Sequence, residues 1–175
     1  MAKQTGFGPK KAYLILYNAA SAVAWATILG RVAVVLGWKG APFVPLVVDN
    51  FARITQTFAI MEVVHALTVA SRLFLVWGIC YPFPQLNTNV FYSTMLVAWS
   101  LTEVMRYSYF ALKQIDAVPA WLHWLRYSAF LVLYPVGISS EVAMTLSAIW
   151  GPADELSSWY TFGLTLVLAA YGPGE

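Results

Sequence analysis

Apolar residues run through this chain in long blocks, and the breaks between the blocks set its elements. The first block, residues 12–36, is 25 residues long with Arg31 as its only charge, which is enough for one helical crossing of a bilayer. It exceeds the roughly 7–15-residue core of a signal peptide, so it predicts a transmembrane helix and not a cleaved leader. Gly37 to Pro45 carries two glycines and two prolines and predicts a turn-rich break. The second block, 51–79, fits poorly. As one helix it would be roughly 43 Å long against a hydrocarbon thickness of about 30 Å, too long for one crossing and too short for two. After the uncharged stretch Cys80–Asn89, further spans are predicted at 90–112, 121–149 and 159–171.

Composition narrows the class. The 175 residues are 60% hydrophobic, 16% aromatic and only 10% charged, whereas globular proteins average roughly 25% charged residues. So few charges cannot cover a soluble surface of this size. They also exclude intrinsic disorder, and a net charge of +2 excludes an electrostatic nucleic-acid binder. The expected fold is all-α, a polytopic transmembrane helix bundle over one domain, 1–175, in contact with the lipid bilayer. One cysteine, Cys80, and two histidines, His65 and His123, leave no material for a disulfide, a thiolate zinc site or a histidine-rich iron site.

Positive charge orients the spans. Lys3, Lys10 and Lys11 hold the first helix start in the cytosol, and Arg106 and Arg126 flank the 113–120 loop on the same side. The neutral 80–89 loop and the Asp154/Glu155 loop then face away, with Arg31 and Lys39 as weak votes against. Trp38, Tyr81, Trp121, Trp124, Trp150 and Trp159 fit interfacial belts, or ordinary aromatic packing.

Ionisable groups inside spans cost at least about 2.5–3.5 kcal/mol each and so mark candidate sites. Glu62 and His65 stand at i, i+3 in Met-Glu-Val-Val-His, half of a di-iron motif whose other half is missing, so a hydrogen-bonded pair or a substrate contact is the better reading. Glu103 and Arg106 repeat that spacing. They can neutralise each other within the helix, and Arg106 can also attract an anionic head group. Tyr134 and Glu141 are seven residues apart, on one helix face and roughly 10 Å apart along the axis, with Pro135 and Gly137 between them favouring a kink. Tyr127 continues that stripe. A phenol and a carboxylate in a dry apolar interior suit proton transfer, and equally suit a polar pair that satisfies itself within a bundle.

Tyr13-Leu-Ile-Leu-Tyr-Asn18, Gln56-Thr-Phe-Ala-Ile-Met-Glu-Val-Val-His-Ala66, Ser71-Arg-Leu-Phe-Leu-Val-Trp77, Trp99-Ser-Leu-Thr-Glu-Val-Met-Arg-Tyr-Ser-Tyr109, Leu125-Arg-Tyr and Leu133-Tyr-Pro-Val-Gly-Ile-Ser-Ser-Glu141 form ordered blocks. Together they resemble the very-long-chain (3R)-3-hydroxyacyl-CoA dehydratases, also called protein-tyrosine-phosphatase-like membrane proteins. The resemblance implies six helices in the endoplasmic reticulum membrane and water loss from 3-hydroxyacyl-CoA to trans-2-enoyl-CoA, the third step of fatty-acid elongation. It implies Tyr134 and Glu141 as the catalytic pair, with either as the base. Glu103, Arg106, Arg126 and Gly137 would support them, the arginines by holding CoA phosphates. No cofactor or metal is expected, and the expected partners are a long-chain 3-hydroxyacyl-CoA and the other elongation enzymes. The phosphatase name carries nothing here, because Cys80 is not in a Cys-x5-Arg loop.

Two departures stand out. Only Ala-Leu-Thr-Val-Ala separates His65 from Ser71, where relatives have a longer turn, so the second and third helices are expected to be shortened or fused. The chain also stops at Tyr171-Gly-Pro-Gly-Glu175 without the basic tail of relatives. A catalytically silent scaffold of the elongase complex is the competing function, and a small transporter lined by Glu62, Glu103 and Glu141 a more distant one.

Overall fold

The computed structural model describes residues 8–58, 66–153 and 157–170. The described residues form seven α-helices and no strand: α1 Pro9–Trp38, α2 Val44–Phe58, α3 Ala66–Leu75, α4 Val90–Lys113, α5 Ala120–Ser128, α6 Phe130–Ile149 and α7 Ser158–Ala170. Pro9 opens α1 at a position whose N–H needs no partner. The helix ends where the Lys39 and Gly40 N–H groups both close on the Val35 carbonyl, and Gly40 takes φ +86°, a conformation costly for any residue with a Cβ.

The expected break at 37–45 is shorter than its prolines suggest. Pro42 sits in the first turn of a 3₁₀ segment, Ala41–Phe43, and Pro45 is the second residue of α2. Proline is tolerated in a first helical turn, so these residues start helices instead of interrupting them. As a result α2 begins at Val44, seven residues before the expected boundary, and takes in Asp49, Asn50 and Arg53.

The awkward block is two short helices folded back on each other. Trp77 Nε1 donates to Thr57 Oγ1 at 3.2 Å, and the Arg53 guanidinium lies over the rings of Trp77 and Tyr81, 5.7 and 4.8 Å from their centroids. The end of α2 therefore meets Trp77 while Arg53, one turn earlier, also reaches Tyr81, so the two segments run antiparallel. One straight helix over 51–79 would hold Thr57 and Trp77 roughly 30 Å apart, so their contact argues against the fused alternative. Glu62 and His65 lie outside the described residues.

Beyond Leu75 the helix widens into a π-turn, Val76–Cys80. The Gly78 carbonyl there accepts a short hydrogen bond from the Tyr160 hydroxyl on α7. Asp49 ties the same end together: its carboxylate accepts from Arg53 at 2.9 Å, Tyr92 at 3.0 Å and Asn87 at 3.5 Å, and Asn87 also donates to the Cys80 carbonyl at 3.0 Å. At the opposite end Tyr17 of α1 packs edge-on against Tyr107 of α4, so the start of α1 and the end of α4 lie together. The expected 121–149 span is α5 and α6, interrupted only at Ala129, whose backbone remains right-handed helical.

The core joins α1, α4 and α6 around Trp25, Ile28, Met95, Leu96, Trp99 and Met144, all at most 2% exposed. Its polar content is unusual, because Gln56, Asn87, Ser93, Ser100, Glu103, Ser140, Glu141 and Thr145 are buried as well. Large apolar residues face outward instead, among them Leu46 at 81%, Leu131 at 73% and Leu16 at 70%. Two helices, α1 and α6, are long and apolar enough to cross a membrane, and Val69–Cys80 and Ser158–Ala169 are shorter apolar helices.

Candidate active site

The helices α4 and α6 cross where both carry small side chains. A Cβ placed on Gly137 would meet the Ala98 Cβ at 3.8 Å, and Thr94 and Ser140 share a hydrogen bond of 2.8 Å between their hydroxyls. This close approach brings Glu141 of α6 against Trp99 of α4. Both are buried, and the Trp99 indole Nε1–H donates to Glu141 Oε1 at 2.8 Å.

One turn further along α4, Glu103 is bracketed by two arginines. Arg106 Nη2 lies 2.6 Å from Glu103 Oε2, the expected i, i+3 pair. Arg72, from α3, forms a short ion pair with Glu103 Oε1, and its guanidinium lies 5.2 Å from the Trp99 ring centroid. The three charged side chains are 4–16% exposed. A continuous polar chain thus runs from Arg106 through Glu103, Arg72 and Trp99 to Glu141.

Tyr134 sits outside that chain. It is 55% exposed and its ring lies tilted against Phe130, with centroids 4.8 Å apart. The seven-residue spacing does place it on the stripe of Glu141, but the first two turns of α6 lack cover, with Leu131, Val132, Pro135 and Val136 exposed beside it. Tyr127, on the same stripe, is likewise exposed and meets the His123 ring edge at 5.0 Å. Gly137 is buried at the α4 crossing. Pro135 also lies within α6, which continues through it.

Arg126 belongs to a separate cluster near the 113–120 loop. Its guanidinium is 4.6 Å from the ring centroids of both Tyr109 and Phe110, and its Nη1 is buried without a hydrogen-bond partner. Tyr109 OH lies 3.5 Å from His123 Nδ1. The two supporting arginines are therefore in different settings, Arg106 held by a carboxylate and Arg126 by aromatic faces.

Sequence reasoning missed Arg72 and Trp99 as members of the site. Arg72 carried a usable signal: Thr68, Val69, Leu75 and Val76 offer no counter-charge on its own helix, so its partner had to come from another. Trp99 carried none beyond lying one turn before Glu103.

The family model for protein tyrosine phosphatase-like protein, PTPLA, matches residues 63–174, which hold every member of this site. The chain belongs to that family. Among curated PTPLA-like relatives, the very-long-chain (3R)-3-hydroxyacyl-CoA dehydratase PASTICCINO 2A of Oryza sativa subsp. japonica is 37% identical over 97% of this chain and 89% of its own. PASTICCINO 2 of Arabidopsis thaliana, named for the same activity, is 34% identical over 95% and 87%. The probable dehydratase of Schizosaccharomyces pombe is 35% identical over 93% and 85%. No solved structure matches the chain.

Proposed function

We propose that this PTPLA-family chain is a multi-pass membrane hydro-lyase that converts a long-chain (3R)-3-hydroxyacyl-CoA to the trans-2-enoyl-CoA. The observation that carries the reading is Glu141, a carboxylate buried at an apolar helix crossing and held by an indole N–H on the stripe that also bears Tyr134. The relatives' shared activity supplies the substrate class.

Dehydration requires removal of a weakly acidic C2 proton and protonation of a poor leaving group, the C3 hydroxyl. Glu141 takes the C2 proton, and the C2–H electron pair forms the C2–C3 double bond as the C3–O bond breaks, with Tyr134 delivering its phenolic proton to the departing hydroxyl, which leaves as water. The proton on Glu141 returns to the phenolate through solvent before the next turnover. The burial of Glu141 and the exposure of Tyr134 favour this division of roles, because the phenol lies where solvent or a head group can resupply it. Arg126 and Arg106 would hold CoA phosphates, and the buried, partnerless Nη1 of Arg126 is consistent with an anion there.

Six crossings, by α1, α2, α3, α4, α5 with α6, and α7, suit the antiparallel neighbours and the outward apolar residues. The short α2, about 22 Å long, and α3, about 15 Å before its π-turn, would be accommodated by local bilayer thinning. The setting would be the endoplasmic reticulum membrane beside the other elongation enzymes.

The test is a dehydration assay in detergent or microsomes with a long-chain 3-hydroxyacyl-CoA. Activity in the native chain that falls about 100-fold or more in both Tyr134→Phe and Glu141→Gln is the expected result. An inactive native chain refutes the enzyme and leaves the scaffold.

A further inference from the structure

We infer that Trp99 is a positioning residue for the Glu141 carboxylate and that Arg72 sets Trp99; this rests on the reading of Glu141 as the group that moves the substrate proton. A glutamate has three rotatable side-chain bonds, and catalysis by a misaimed base is slow, since small displacements from the reactive geometry cost large factors in rate. In this crossing the Trp99 indole supplies aim to that carboxylate. The indole Nε1–H meets Oε1 at 2.8 Å, and a tryptophan that is 2% exposed has no room to swing.

The indole is held in turn. The Arg72 guanidinium lies over its ring at 5.2 Å and is fixed from the other side by the ion pair with Glu103, which Arg106 also contacts. A guanidinium against an aromatic face is attractive, and more so when both are desolvated. The base on α6 is therefore oriented from α4, and α4 is keyed to α3 through the Arg72 cation. This gives Arg72 and Trp99, both within the residues that the family model matches, a role distinct from holding CoA.

Trp99→Phe keeps an aromatic ring over Arg72 and removes the N–H. In the dehydration assay it is expected to lower kcat about 10- to 100-fold, the worth of a hydrogen bond to a charged group, while KM stays within about twofold. In a Glu141→Asp background, where the shortened carboxylate has already left the indole, the same change is expected to alter kcat by less than about twofold. Arg72→Lys, which keeps the charge opposite Glu103 and loses the flat cap, gives the same pattern in milder form and serves if Trp99→Phe does not fold. Equal losses in both backgrounds, a change confined to KM, or no loss would overturn the inference. An inactive Glu141→Gln beside a fully active Trp99→Phe overturns it alone; a fully active Glu141→Gln overturns the site and the inference together.

Discussion

Replacing Glu103 with glutamine should be the most damaging single change in the charged chain, and its cost can be worked from the geometry. Glu103 is 4% exposed and receives Arg72 on one oxygen and Arg106 on the other, at 13% and 16% exposure. Removing one partner of a buried ion pair typically costs about 3–5 kcal/mol, because the remaining charge is left desolvated. Here two cations lose the same partner, with guanidinium nitrogens at most about 7 Å apart. At an effective dielectric constant near 20 their repulsion adds about 2 kcal/mol. Glu103→Gln is therefore expected at the upper end, about 4–5 kcal/mol. Arg106→Gln leaves Glu103 with Arg72 and is expected to cost less, about 1.5–3 kcal/mol through the lost charged hydrogen bond to Glu103. The assay is reversible unfolding in mixed micelles, followed by tryptophan fluorescence and helical circular dichroism. The double variant Glu103→Gln/Arg106→Gln should recover at least about 2 kcal/mol by removing the repulsion. A Glu103→Gln protein no less stable than Arg106→Gln would refute the argument.

Other expectations follow from single contacts. At Gly137 an alanine meets its nearest neighbour at ordinary contact distance, so Gly137→Ala should fold and retain activity, whereas Gly137→Leu should cost about 1–3 kcal/mol by forcing α4 and α6 apart; unfolding and activity measured together separate the two. Tyr92→Phe removes one of three donors to Asp49 and should destabilise by about 1.5–3 kcal/mol without changing KM, as read by unfolding and kinetics. Leu131→Lys is an exposed change that a water-soluble protein would ignore. If α6 faces lipid it should cost about 2.5–3.5 kcal/mol of membrane insertion, measured by glycosylation mapping or carbonate extraction, and unchanged insertion would count against the crossing.

What could be read in the sequence depended on whether both partners of an interaction shared a helix. Glu103 and Arg106 were legible because i, i+3 spacing fixes their approach regardless of how the bundle assembles. Tyr134 and Glu141 were legible as one stripe for the same reason. Their different burial was not, since it depends on where α4 leaves α6. Arg72 meeting Glu103 and Trp99 meeting Glu141 join positions 31 and 42 residues apart, and no local pattern encodes such pairs. The start of α2 was misread on physical grounds: proline forbids a helix interior but suits a helix opening, and Pro42 and Pro45 are openings. The apolar blocks at 12–36, 90–112 and 159–171 needed only length and apolarity to be read as helical, and α1, α4 and α7 fall on their described residues.

The placement of polar atoms says most about how this fold works. Ser140, Thr145, Ser147 and Thr102 each donate a hydroxyl to the carbonyl four residues earlier, so these groups are satisfied within their own helix and need no water. Arg72 and Trp99 reach across helices instead, Arg72 to Glu103 at the α3–α4 contact and the Trp99 N–H to Glu141 at the α4–α6 contact. With apolar residues on both the inside and the outside, hydrophobicity gives these helices little preference for one rotation over another. The polar partners supply it, because rotating α6 by one residue, about 100°, would take Glu141 away from Trp99 and leave a carboxylate unpaired in an apolar surround. The group best suited to the chemistry is thus also the group that fixes the register of the helix carrying it, with Ala98 and Gly137 setting how near the two helices can come.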